Sequence, residues 1–234
     1  MTPLLQILLL GLLAGAAIPV GGWLARIESF GPRWLENEFR HFVIAFGGGA
    51  LLSAVALVLV PEGSKDMPVW LVALCFGGGG LIFLGIDLLI ARSKSSASQL
   101  VAMLSDYLPE ALALGAFVAD GDSGILLAFL IALQNLPEGF NSFREMNETL
   151  PANRILIVFM LIALLGPLTT WLGFTFLSGF SMTLQCLMLI AGGGILYIIF
   201  QDIAPQAKLK KHWVPTLGAV IGFLLGLIGH LLTT

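Results

Sequence analysis

The chain has 234 residues, 58% of them apolar and only 11% charged, with a mean hydropathy of +0.98 and a formal net charge of -3. A soluble domain carries about 25% charged residues, so an ordinary water-soluble fold is excluded and the solvent that suits this chain is a bilayer. The net negative charge offers no basic surface for nucleic acid.

A bilayer core takes about 20 apolar residues per helix, and eight segments meet that need: 4–25, 42–60, 69–90, 99–119, 124–143, 155–178, 181–202 and 214–232. Their apolar runs are continuous rather than alternating, which predicts helices and not a strand barrel. The first is apolar from Pro3 with no Lys or Arg before it. It lacks the basic start of a signal peptide and reads as a retained span. The expected architecture is an all-α membrane protein with eight transmembrane helices in a single domain over 1–234.

Lys and Arg set the orientation. Arg26, Arg33 and Arg40 fall between segments 1 and 2, and Arg92 and Lys94 between 3 and 4. Arg144 and Arg154 fall between 5 and 6, and Lys208, Lys210 and Lys211 between 7 and 8. Lys65 alone falls on the other side. The four basic loops are therefore expected in the cytoplasm and both termini outside, in a plasma (cell inner) membrane.

The segments also repeat. Pro19-Val20-Gly21-Gly22-Trp23-Leu24 in segment 1 matches Pro167-Leu168-Thr169-Thr170-Trp171-Leu172 in segment 6. Gly47-Gly48-Gly49 followed by Pro61 in segment 2 matches Gly192-Gly193-Gly194 followed by Pro205 in segment 7. Segments 3 and 8 are both glycine-rich, as close helix contacts require. Segments 4 and 5 match each other, Asp106-Tyr107-Leu108-Pro109-Glu110-Ala111 against Gln134-Asn135-Leu136-Pro137-Glu138-Gly139. Partners one or five crossings apart run in opposite directions. The pattern is thus an inverted repeat, segments 1–3 against 6–8 around a central 4/5 pair, as in transporters that work by alternating access.

Asp106, Glu110 and Glu138 lie deep inside segments 4 and 5, where a carboxylate costs roughly 2.5–3.5 kcal/mol. No Lys or Arg lies at that depth in the sequence, so a cation from outside the chain is the simplest partner. Asp106 and Glu110 share one helix face, as do Gln134 and Glu138. Pro109 and Pro137 each remove a backbone hydrogen bond, to the carbonyls of Ser105 and Leu133. Together they outline an oxygen-rich cage for a hard or borderline divalent cation.

Those paired Pro-Glu motifs resemble the ZIP (Zrt/Irt-like) divalent metal transporters, over essentially the whole chain. Members read His-Asn-x-Pro-Glu-Gly on helix 4 and a His- or Gln-led version on helix 5, which Gln134 to Gly139 fits. The resemblance implies that Glu110, Gln134, Asn135 and Glu138 are metal ligands. Asp106 joins them by position, although the family has His there. It also implies a homodimer and import into the cytoplasm by an elevator-like motion, with helices 1, 4, 5 and 6 moving past 2, 3, 7 and 8. The chain departs from the family at Tyr107, where the family has Asn, at Gly166, where many members have Glu, and at Val58, where the family often has His. One metal site is therefore expected, with zinc as the first substrate and iron or manganese as alternatives. The metal is cargo, no cofactor is expected, and the chain is not read as an enzyme. A proton- or sodium-coupled carrier of another solute, and a relative that binds metal without moving it, are the other readings. Cys75 and Cys186 form no disulfide framework. Asp87 is expected to reach toward Arg92, and Glu62, Asp66, Asp120 and Asp122 to form an acidic outer surface.

Overall fold

The computed structural model describes residues 2–27, 33–93, 97–121, 123–177, 181–209 and 212–233, with side chains for all of these except 33–36, 90–93, 97–102, 106 and 233. Lys94, Asp122, Lys210 and Lys211, and the side chains of Arg33, Arg92 and Asp106, therefore lie outside the described residues.

Every regular element among the described residues is helical: α1 (Pro3–Ile27), α2 (Arg33–Ala54), α3 (Val60–Ser64), α4 (Val69–Ser93), α5 (Ala97–Ala119), α6 (Ile125–Met146), α7 (Ala152–Phe176), α8 (Ser181–Ile198), α9 (Ala204–Ala207) and α10 (Leu217–Thr233). A wide π turn, Val55–Leu59, joins α2 to α3, and a second, Ile199–Ile203, joins α8 to α9. Each π turn ends just ahead of a proline, Pro61 or Pro205. Proline has no N–H to give and its ring strikes the carbonyl one turn back; widening that turn moves the carbonyl aside while the helix continues.

Among the described residues, five helical stretches are long and apolar enough to cross a bilayer: Pro3–Ile27, Asn37–Ser64, Val69–Leu89, Ala152–Phe176 and Ser181–Ala207. Leu217–Leu232 is apolar but shorter. The chain thus has the character of a multi-pass membrane protein. Its surface agrees, with Leu13, Trp70, Leu81, Leu161 and Leu232 among many large apolar side chains left exposed. The polar helix α6 buries its own polar groups instead: Gln134, Asn135 and Ser142 are all inside.

The helices pack in two sets. α1, α5, α6 and α7 pack on one another, chiefly α1 on α6 and α7 and α5 on α7. Outside them stand two pairs, α2 with α10 and α4 with α8, which meet the first set where α2 touches α6 and α8 touches α5. Glycine makes the tightest crossings possible. A Cβ on Gly139 would overlap the Ile18 carbonyl oxygen, and one on Gly173 that of Leu112. The helix-interior prolines with no π turn ahead of them, Pro19, Pro109, Pro137 and Pro167, all belong to this first set.

Candidate membrane-embedded polar site

α5 and α6 are joined by a short turn in which Gly121 and Gly124 take positive φ, 98° and 65°, a conformation open to glycine at no steric cost. The reversal sets the two helices side by side. Glu110 lies nine residues before the end of α5 and Gln134 nine after the start of α6, so the two stand at one depth. Both are buried, at 1% and 2% exposure. The Gln134 Nε2 donates a hydrogen bond to the Glu110 Oε2.

That bond uses half of each group. Glu110 Oε1 and Gln134 Oε1 are buried oxygens without a hydrogen-bond partner among the described residues. Buried polar atoms are nearly always paired, and two unpaired acceptors on adjacent side chains define a place that favours positive charge. Asn135 is equally buried, but its Nδ2 donates to the Ala14 carbonyl at 2.9 Å and so ties α6 to α1. Its own oxygen remains on the amide as a possible donor atom to a cation.

Glu138, one turn beyond Gln134, is half-buried. It lines a cavity of about 130 Å³ together with Gln134, Asn141, Glu145, Asp202 and Gln206, with Ile44 and Leu51 of α2 on the opposite wall. The cavity lies on the boundary between the two helix sets. Asp106 is on α5 one turn before Glu110, and its side chain lies outside the described residues. Among the described residues, no group of three or more His, Cys, Asp or Glu side chains converges. The donors that the structure brings together are thus Glu110 and Gln134, with Glu138 beside them and Asn135 held by α1.

Tyr107 is fully buried, and its O–H donates to the Gly11 carbonyl at 3.4 Å. The hydroxyl fills the space that a side chain at Gly15 or Gly166 would take. It closes the α1/α7 side of this region, which leaves the α2/α8 side for the cavity. Asp87 accepts a hydrogen bond from the Tyr197 hydroxyl at 3.0 Å, a partner on α8 that the sequence reading did not consider. Asn141 and Glu145 join the cavity from α6, where Gln134, Glu138, Asn141 and Glu145 recur at spacings that share one helix face, the one sequence signal that marks them. Asp202 and Gln206 reach the cavity because the second π turn and the crossing of α8 place them there.

No family model matches the chain, and no curated protein matches it.

Proposed function

We propose that the chain carries divalent metal cations across the membrane by alternating access, through a single site on α5 and α6. The observation that carries this reading is the pair of unpartnered buried oxygens, Glu110 Oε1 and Gln134 Oε1, beside Glu138 at the head of a polar cavity. A cation there would satisfy both oxygens and offset the cost of a carboxylate at bilayer depth. Glu110, Gln134 and Glu138 are the donors for it, with Asn135 and Asp106 completing the set. Oxygen and amide donors accept Zn²⁺ and also suit Fe²⁺ and Mn²⁺; zinc is the first substrate to test.

Several features support the architecture that such a carrier needs. Counted through the two π turns, the described helices would supply eight crossings on this reading, and an inverted repeat would account for their contacts. α1 on α6 corresponds to α7 on α5, α2 on α10 to α8 on α4, and α2 on α6 to α8 on α5. The π turns before Pro61 and Pro205 correspond as well. The cavity lies between the two helix sets, so movement of α1, α5, α6 and α7 against the rest would open and close it. The loop charges orient the molecule with both termini outside, and the cavity then faces the cytoplasm. These features fit membership of the ZIP family, acting as a homodimer in the plasma membrane.

The test is zinc uptake into proteoliposomes. Glu138→Ala abolishes uptake while the protein is still made and inserted; uptake at the wild-type rate removes Glu138 from the mechanism. A second reading, a proton-coupled carrier that uses Glu110 and Glu138 as proton acceptors, is favoured by the lack of three converging ligand side chains among the described residues. It requires transport that persists when divalent metals are chelated.

A further inference from the structure

α1 presents a line of backbone carbonyls to the other three helices of its set. Thr170 of α7 donates from Oγ1 to the Ile7 carbonyl at 3.1 Å, Tyr107 of α5 from its hydroxyl to that of Gly11 at 3.4 Å, and Asn135 of α6 from Nδ2 to that of Ala14 at 2.9 Å. Ile7, Gly11 and Ala14 stand at i, i+4 and i+7 and so share one face of the helix. A carbonyl has two lone pairs, and each of these can take a side-chain donor beside the N–H of its own helix. One step further along the same face, the Ile18 carbonyl lies where a Cβ on Gly139 of α6 would be.

Two of the donors hold corresponding places in the matched motifs. Tyr107 precedes Glu110 by three residues, and Asn135 precedes Glu138 by three. A proline, Pro109 or Pro137, falls between donor and carboxylate in each, where it takes away one of the helix's own hydrogen bonds. The bond to α1 therefore braces each helix beside the turn that its proline leaves less supported. The repeat proposed above pairs α1 with α7, so symmetry would send Tyr107 to α7 as it sends Asn135 to α1. Tyr107 instead passes α7 and ends on α1. Glycine opens the way: a Cβ on Gly166 of α7 would overlap the Tyr107 hydroxyl and the Gly11 carbonyl, and one on Gly15 of α1 the hydroxyl and the Ala163 carbonyl. The side chain is fully buried, and its seat fixes the height of α5 against α1.

We propose that Tyr107 is a positioning residue of the cation site: its hydroxyl, seated between α1 and α7, sets the turn of α5 that carries Glu110, as Asn135 sets the turn of α6 that carries Glu138. α1 is then the common reference from which both carboxylates are placed. Glu110 is bonded to Gln134 through Oε2, while Oε1 has no partner among the described residues. A small rotation of its turn swings Oε1 away from a cation held there. The effect on cations rests on the reading of Glu110 as a donor to them; the placement of Glu110 does not.

Tyr107→Phe keeps the ring and removes the hydroxyl. Thr170→Val removes the donor to the Ile7 carbonyl on α7, which carries none of the proposed cation donors, and serves as the control. Full chains are purified in detergent. The carboxyl infrared band of Glu110, identified as the band that Glu110→Gln lacks, is recorded without metal, and the zinc dissociation constant is measured by calorimetry. Both variants melt below the wild type, since each loses a bond to α1. Tyr107→Phe alone shifts the Glu110 band and raises the zinc dissociation constant about 2- to 10-fold, the net worth of one hydrogen bond. An unshifted band in Tyr107→Phe overturns the proposal, as does an unchanged affinity where the wild type binds zinc, or a Thr170→Val that matches Tyr107→Phe in both. A wild type that binds no zinc refutes the proposed function instead, and the metal-free band then decides by itself whether Tyr107 places Glu110.

Discussion

Replacing Glu110 by Gln separates a cation-binding carboxylate from one that merely links two helices. Glu110→Gln keeps the shape and removes the charge. The bond from Gln134 to position 110 is retained, and the new amide can donate back to Gln134 Oε1, which has no donor in the wild type. Satisfying one buried polar atom is worth about 1–3 kcal/mol, before any relief from removing a charge at bilayer depth. At about 2–4 °C per kcal/mol for a chain of this size, the metal-free variant melts about 2–12 °C above metal-free wild type. Zinc at a hundred times its dissociation constant stabilises the wild type by about 2.7 kcal/mol, and this gain disappears in the variant. Tryptophan fluorescence melts in detergent, with chelator or with zinc, read both effects from the five tryptophans. A metal-free variant that melts below the wild type, or one that keeps the full zinc-dependent rise, refutes the assignment of Glu110.

Asn135→Ala removes the 2.9 Å bond to the Ala14 carbonyl and lowers stability by about 1 kcal/mol; Asn135→Asp lowers it further, because a carboxylate then faces a carbonyl oxygen, and the same melts rank the two. Gly139→Ala drives a methyl group into the Ile18 carbonyl and costs about 1–3 kcal/mol. Gly77→Ala, whose Cβ meets nothing within 4 Å, causes no loss of stability in the same assay. In a cysteine-free background, Asp120→Cys and Glu148→Cys react with an impermeant maleimide from opposite sides of the membrane in sealed vesicles; labelling from one side contradicts the orientation.

The sequence alone determined the solvent of this protein and the residues on which its polar chemistry rests. Hydropathy is a local sum, so a bilayer-length apolar run reveals itself without knowledge of its neighbours, and a carboxylate inside such a run is conspicuous for the same reason. The helix ends were less legible. Segment 2 was expected over 42–60, yet the helix begins at Arg33 and runs through the π turn to Ser64, because hydropathy marks the part suited to hydrocarbon while the helix ends only where the backbone turns. The match of segments 4 and 5 picked out Glu110 and Gln134, but not which oxygen would lack a partner. Only the tertiary structure decided that Gln134 gives its amide N–H to Glu110, that Asn135 turns to α1, and that Tyr107 fills the space above Gly15 and Gly166. It also brought Asp202 to the cavity. Each of these depends on where two helices cross, and a crossing is set by the shapes of both faces, by glycine on one and a carbonyl on the other, which no single stretch of sequence contains.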